Sequence, residues 1–198
     1  PIELIPNLVS GAINWIENYA PKLIAIHHAR KDQSDENVIR LIEEFNKEYS
    51  KDLNRVLVLK SSDKNSDLGV KKSKRLTFVA CLIVLHIFTA RRASEISGLS
   101  TLSLVGEFND RYLLTDIGKT QLRDEPIPCP EIVAVAFKTI IEMRGLDETY
   151  QGDLWEKNSS GNHNNENSLD YFAEIIGAMN YQIDGVQHKW HYALHQFR

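Results

Sequence analysis

The sequence is poor in cysteine. Cys81 and Cys129 are the only thiols among 198 residues, and two thiols exclude both a disulfide framework and a four-cysteine zinc site. A chain of this length buries a core without disulfide bonds. We therefore expect a protein of a reducing compartment, with the cytoplasm as the default location.

Long apolar runs and a leader segment are also missing. The longest apolar run extends from Phe78 to Leu85 and resumes after His86. A membrane-spanning helix needs about 18 or more apolar residues, so this run predicts a buried core helix and no membrane association. The segment from Pro1 lacks the order of a signal peptide. Because the chain starts without Met and stops at Arg198 inside a predicted helix, we expect a fragment of a longer protein.

An excess of positive charge is absent as well. The net charge is -4, from 23 basic and 27 acidic residues, which argues against a strongly basic nucleic-acid binder. The total conceals an asymmetry, however. Residues 51–75 contain eight Lys or Arg against three Asp, a balance of +5, whereas residues 142–174 contain eight acidic and two basic residues, a balance of -6. A local surface can therefore still attract an anion.

The spacing of apolar residues predicts the secondary structure. With 42% hydrophobic and 25% charged residues, the composition excludes disorder, collagen and coiled-coil rods. Apolar periodicity predicts helices at 7–19 (ending before Pro21), 34–48 (capped by Ser34), 74–90, 92–99, 132–143, 168–179 and 189–197. Short β-like runs predict strands at 102–108, 111–115 and 123–127. Residues 53–59 fit either a strand or a helix, and 61–67 and 158–167 are predicted loops.

This order of elements predicts an α+β fold, predominantly helical, with a small three-stranded antiparallel sheet. We expect residues 1–198 to form one continuous domain that is truncated. Residues 1–60 are expected to be its helical N-terminal part.

The first motif with chemical potential is Arg92 and Glu95. The three-residue spacing places both side chains on one face of the predicted helix. A surface ion pair is the simpler explanation, and such pairs contribute about 0.3–0.5 kcal/mol. The buried helix just before Arg92 favours a more specific role, since it fixes the position of the guanidinium.

The second motif is Lys119, which follows Gly118 between two predicted strands. A solvated lysine at a hairpin turn is the simpler explanation. A hairpin can also extend a lysine towards a phosphate or a leaving oxygen.

The third motif is a run of histidines near the C-terminus. His195 and Arg198 are three residues apart on a predicted helix, and His188 and His191 share that helix face. Three imidazoles could bind zinc, but no Cys or carboxylate stands at a recognised metal spacing. Ordinary polar histidines on a helix face are the simpler explanation.

Together these motifs resemble the tyrosine recombinases, or phage-type integrases, over residues 74–198. The first catalytic box of that family, Thr-Gly-x-Arg-x-x-Glu-[Leu/Ile]-x-x-Leu, is matched by Thr89, Arg92, Glu95, Ile96 and Leu99, with Ala90 where Gly is usual. The hairpin box is matched in character by Lys119, Thr120, Arg123 and Pro126. The second box, His-x-[Leu/Phe]-Arg, is matched by His195, Phe197 and Arg198.

The resemblance implies the fold of the DNA breaking-rejoining enzyme core and a mechanism without a cofactor or a metal. A tyrosine attacks a DNA phosphodiester to give a 3′-phosphotyrosyl link and a free 5′-hydroxyl. In this mechanism Arg92 and Arg198 hold the phosphate oxygens, His195 donates to the same phosphate or assists proton transfer, and Lys119 protonates the leaving 5′-oxygen. Glu95 orients its neighbours.

The nucleophile is not assigned to any residue of this chain. In the family the tyrosine follows a third box beyond the His-x-x-Arg motif, so we expect it after Arg198. No tyrosine of the chain occupies that position, neither Tyr19, Tyr49, Tyr112, Tyr150, Tyr171 and Tyr181 nor Tyr192. The chain alone is therefore expected to be inactive.

The partner implied by the resemblance is double-stranded DNA, with self-association into a tetramer on DNA in the full-length protein. The origin implied is bacterial or phage-derived, from a mobile element, and the protein would be nucleoid-associated. The first alternative is a non-catalytic helical DNA-binding or regulatory module, and the second is a His-rich metal-binding protein. Four basic residues, although they equally suit a solvated helix start, are the candidates for contact with the DNA backbone: Lys71, Lys72, Lys74 and Arg75.

Overall fold

The computed structural model describes residues 4–31, 35–60, 63, 66–107, 110–117, 122–147, 149–155, 166–193 and 196. These residues form a predominantly helical α+β structure with small sheets, as the sequence predicts. Within the described residues, no helix is both long enough and apolar enough to cross a membrane.

The N-terminal helices follow one another without a break. Helix α1 (Leu4–Asn14) leads into a π-helical segment (Trp15–Tyr19) and then into α2 (Ala20–Lys31). The prediction that the helix ends before Pro21 is therefore wrong. Proline has no N–H to donate to the preceding turn. The π-helical segment, in which the Ala20 N–H donates to the Trp15 carbonyl, inserts one extra residue directly before the proline and lets the helix continue.

Helix α3 (Asp35–Leu53) is longer than predicted, and the predicted cap Ser34 lies outside the described residues. The ambiguous stretch after it contains strand β1 (Val56–Val58), which pairs in parallel with β2 (Asp67–Gly69). The Asn46 carboxamide closes one side of β1. It donates to the Leu57 carbonyl at 2.9 Å and accepts the Leu57 N–H at 2.6 Å, so α3 satisfies both backbone polar groups of that residue.

Helix α4 (Val70–Thr89) is the centre of the fold and packs against α1, α2 and two later helices, α6 (Glu131–Arg144) and α7 (Glu166–Ile175). Every residue from Leu76 to Leu85 is at most 2% exposed, which confirms the predicted buried helix. The Trp15 indole donates to the Thr77 hydroxyl at 3.0 Å within this core.

The predicted three-stranded antiparallel sheet is confirmed. Strands β3 (Leu104–Val105), β4 (Tyr112–Ile117) and β5 (Leu122–Pro128) pair in the order β3-β4-β5. The short helix α5 (Ala93–Ser97) packs against β4. Helix α6 begins one residue after Pro130, as the position of that proline predicts.

The predicted helix at 189–197 is wrong over residues 189–193, and residues 194, 195 and 197 lie outside the described residues. Strands β6 (Asn180–Ile183) and β7 (Val186–Lys189) form a hairpin, and residues 190–193 are neither helix nor strand. The turn residues Asp184 and Gly185 have φ angles of 51° and 79°, the backbone of a tight hairpin turn that an Asp-Gly pair favours. This dipeptide was the signal that the helical interpretation overlooked. Helix α7 also ends at Ile175, earlier than predicted, before Gly177 with a φ of 73°.

Candidate active site

The candidate site is built on the connection between α4 and α5. Ala90 ends α4 in the left-handed conformation, with φ 52° and ψ 29°, and its N–H donates to the His86 carbonyl at 3.0 Å. Arg92 then has extended backbone angles, φ -73° and ψ 155°, and is the N-cap of α5. The end of one helix and the start of the next therefore fix the backbone of Arg92.

The expectation that Arg92 and Glu95 share a helix face is wrong, because Arg92 precedes the helix. Glu95 is the third residue of α5, and its Oε2 accepts the backbone N–H of Arg92 at 2.9 Å. This contact is the carboxylate half of a capping box. No ion pair joins the two side chains, both of which the structure describes. Glu95 is only 8% exposed, so the carboxylate that accepts the Arg92 N–H is buried.

His86, which the sequence analysis did not single out, also stabilises the connection between α4 and α5. His86 is 3% exposed, and its Nδ1 lies 3.1 Å from the Arg91 carbonyl oxygen. A carbonyl only accepts, so the His86 Nδ1 carries the proton and donates. The signal was present in the sequence, since His86 interrupts an otherwise apolar run six residues before Arg92.

Two adjacent guanidiniums, those of Arg91 and Arg92, extend from this connection. In the part of the chain that the structure describes, neither side chain pairs with a carboxylate, and the buried Nε of Arg91 has no hydrogen-bond partner. An arginine without an acidic partner keeps its forked donors for an external oxyanion. The connection can therefore bind an anion such as phosphate.

A cleft of about 280 Å³ lies between α5 and the sheet, lined by Ser94, Glu95, Gly98, Leu99, Ser100, Ser103, Leu114, Thr115, Asp116 and Asp124. Its charged lining is acidic, and Asp116 accepts the Asp124 N–H at 3.2 Å. Carboxylates repel a phosphate, so the cleft itself is not a phosphate site. Any phosphate bound by Arg92 lies outside this lining.

Three of the predicted catalytic residues, Lys119, His195 and Arg198, lie outside the described residues. On either side of Lys119 in the sequence, Ile117 in β4 pairs with Leu122 in β5. Of these two described strands, β4 packs against α5. The convergence of Lys119 with Arg92, His195 and Arg198 stays a prediction.

The histidines near the C-terminus do not share a helix face, so that premise of the zinc alternative is wrong. His188 is in β7 and stacks on Tyr181, with the ring centroids 5.4 Å apart. His191 is outside any helix, and its Nδ1 lies 2.7 Å from an Asp170 carboxylate oxygen. Among the described residues, no group of three or more His, Cys, Asp or Glu side chains could hold a metal ion.

The basic residues proposed for the DNA backbone lie at the start of α4, whereas Arg92 follows its end. The rise from Arg75 to Thr89 is about 21 Å at about 1.5 Å per residue. Their surroundings also differ. Lys71 is exposed, the Lys72 Nζ lies 3.3 Å from the centroid of the Tyr171 ring, and the Lys74 Nζ lies 5.4 Å from that of Phe78. They do not form one uniform surface.

Comparison with protein-family models, with curated proteins and with solved structures finds no match for this chain.

Proposed function

We propose that this chain belongs to the catalytic domain of a tyrosine recombinase, which cleaves and rejoins double-stranded DNA through a 3′-phosphotyrosyl intermediate. The observation that carries the proposal is the position of Arg92. Its backbone is tied to the buried Glu95 at 2.9 Å, and its guanidinium has no carboxylate partner among the described residues. To bind a reacting phosphate, a guanidinium needs a fixed backbone position and N–H donors that no other residue uses.

The conformation of Ala90 supports the same proposal. The family pattern has glycine two residues before the catalytic arginine, and this chain has Ala90 there. Its φ of 52° lies in the region that glycine occupies at little cost. The backbone therefore has the shape that explains a glycine at this position in the motif, although the side chain differs.

In the proposed reaction, Arg92 and Arg198 hold the nonbridging phosphate oxygens, on which negative charge grows as the tyrosine attacks. His195 donates to the same phosphate, and Lys119 gives a proton to the leaving 5′-oxygen. The phosphotyrosyl link retains the energy of the broken phosphodiester. Attack of a 5′-hydroxyl on that link then releases the tyrosine and rejoins DNA without a cofactor.

Salt-dependent DNA binding tests the part of the proposal that concerns Arg92. We expect the chain to bind duplex DNA with an affinity that falls as salt rises. Arg92→Ala should weaken binding and reduce the slope of log K against log [salt] by about 1. Arg40→Ala is the matched control, because Arg40 is an exposed arginine on α3 whose partner is Glu44.

Two outcomes would contradict the proposal. A DNA-binding affinity that changes neither with salt nor with Arg92→Ala would exclude Arg92 as a phosphate contact. Salt-dependent binding that is lost with substitutions at the start of α4, but not with Arg92→Ala, would favour the non-catalytic DNA-binding module.

A further inference from the structure

We infer that the start of α4 and the start of α7 form a second oxyanion site, which binds a phosphate group and is separate from the candidate active site. The site is a cavity of about 340 Å³ between the two helices, lined by Lys72, Arg75, Leu76, Asn167, Ser168 and Tyr171. It does not depend on the proposed recombinase function, because it uses none of the proposed catalytic residues.

Polar groups without partners converge on this cavity. Ser168, which lines the cavity, is 5% exposed. The buried Arg75 Nε and the buried Tyr171 hydroxyl have no hydrogen-bond partner among the described residues. Buried polar groups in folded proteins are normally satisfied. Two unsatisfied groups at one cavity, the Arg75 Nε and the Tyr171 hydroxyl, indicate that an external group completes their hydrogen bonds.

The charge of the cavity defines the class of ligand. Lys72 and Arg75 are its charged lining residues, and neither forms an ion pair with a described carboxylate. The Lys72 Nζ lies 3.3 Å from the centroid of the Tyr171 ring, so an aromatic face is its neighbour. Two cations without a counter-ion in the described part of the chain favour a ligand that carries more than one negative charge.

The backbone at the start of α7 also favours an anionic ligand. Asn167 and Ser168 are in the first turn of α7, a ten-residue helix. The first N–H groups of a helix have no partner within the helix, and its dipole attracts an anion to that end. A guanidinium fork, an ammonium group and a hydroxyl at a helix start suit the tetrahedral oxygens of a phosphate.

Titration of the full chain with inorganic phosphate tests the site, with binding measured by calorimetry and by NMR shift changes at residues 167–171. Sodium chloride at matched ionic strength controls for general screening. We expect saturable binding to the unmodified chain and a loss of about tenfold or more in affinity for Arg75→Gln and for Ser168→Ala. Lys47→Gln, which removes an exposed charge on α3 outside the lining, should change the affinity by less than about twofold.

Circular dichroism without phosphate shows whether each variant is folded. If Arg75→Gln destabilises the chain, Ser168→Ala still tests the site. Absence of saturable phosphate binding would overturn the inference, as would equal losses for Lys47→Gln and Arg75→Gln.

A second arm identifies the source of the phosphate. If Arg75→Gln weakens duplex DNA binding as much as it weakens phosphate binding, and phosphate competes with DNA, a backbone phosphate occupies the site. If DNA binding is unchanged, a free phosphate or a small phosphorylated molecule occupies it. Each result supports the oxyanion site, and neither depends on the outcome for Arg92→Ala.

Discussion

The carboxylate of Glu95 holds the backbone of Arg92, and the Arg92 guanidinium has no acidic partner among the residues that the structure describes. The Glu95 Oε2 accepts the Arg92 N–H at 2.9 Å, on the third residue of a five-residue helix. A direct ion pair would neutralise the charge that a phosphate needs. The observed contact fixes the position of the arginine and preserves that charge.

Removal of the hydrogen bond between Glu95 and the Arg92 N–H should reduce both the stability of the fold and DNA binding. Glu95→Ala leaves the Arg92 N–H without its acceptor, and we expect a loss of about 1 kcal/mol in the free energy of unfolding. Glu95→Gln keeps an acceptor oxygen and should lose less. Urea unfolding measures the difference, with the exposed Glu44→Ala as the control. Equal losses for the alanine and glutamine variants would show that the hydrogen bond to Arg92 is not what Glu95 contributes.

Glycine at position 90 should stabilise the chain. Ala90 has a φ of 52° at the end of α4, a conformation that is costly for a residue with a Cβ atom. We expect Ala90→Gly to raise the free energy of unfolding by about 0.5–1 kcal/mol. Ala25→Gly is the matched control, because Ala25 is exposed within α2 and glycine there should cost about 1 kcal/mol. Thermal and urea unfolding that give the same sign for both variants would contradict this expectation.

The stability of the fold should decrease in mild acid because of His27. Burial, followed by the nearby charge of Lys74, lowers the pKa of His27 from 6.5 to about 4. Both of its ring nitrogens are buried without partners among the described residues. Below pH 6.5 His27 binds a proton in the unfolded chain, whereas in the folded chain it does so only near pH 4. The free energy of unfolding therefore falls as the pH decreases from 6.5 to about 4.

The full loss is at most about 3 kcal/mol. Urea unfolding at a series of pH values measures it, and His27→Gln should flatten the curve between pH 6.5 and 4. A slope that persists in the His27 variant would assign the pH dependence to other groups.

The proposed function also predicts that no tyrosine of this chain acts as the nucleophile. The purified 198-residue chain should form no covalent phosphotyrosyl adduct with a suicide DNA substrate, because none of its tyrosines follows the His-x-x-Arg box at the required place. Denaturing gel electrophoresis of labelled DNA measures this outcome. An adduct on any of its tyrosines would overturn the assignment.

Much of the fold could be predicted because it depends on local patterns. The apolar run around Phe78 defined a buried helix, and the turn residues near Asn109 and Gly118 separated the three strands. The errors arose where a local signal had two solutions. Pro21 normally ends a helix, but a π-helical segment accommodates it. The histidines near the C-terminus have helical spacing, but the turn at Asp184 and Gly185 directs the chain into a hairpin.

The sequence by itself determined the helical α+β class, the central buried helix and the order of the motifs, because each depends on the spacing of residues along the chain. Only the tertiary structure decided that Glu95 binds a backbone N–H and that His86 supports Arg91. It also decided that the basic residues at the start of α4 lie about 21 Å of helix away from its other end. These relationships depend on backbone dihedral angles and on neighbours distant in sequence, which residue spacing does not encode.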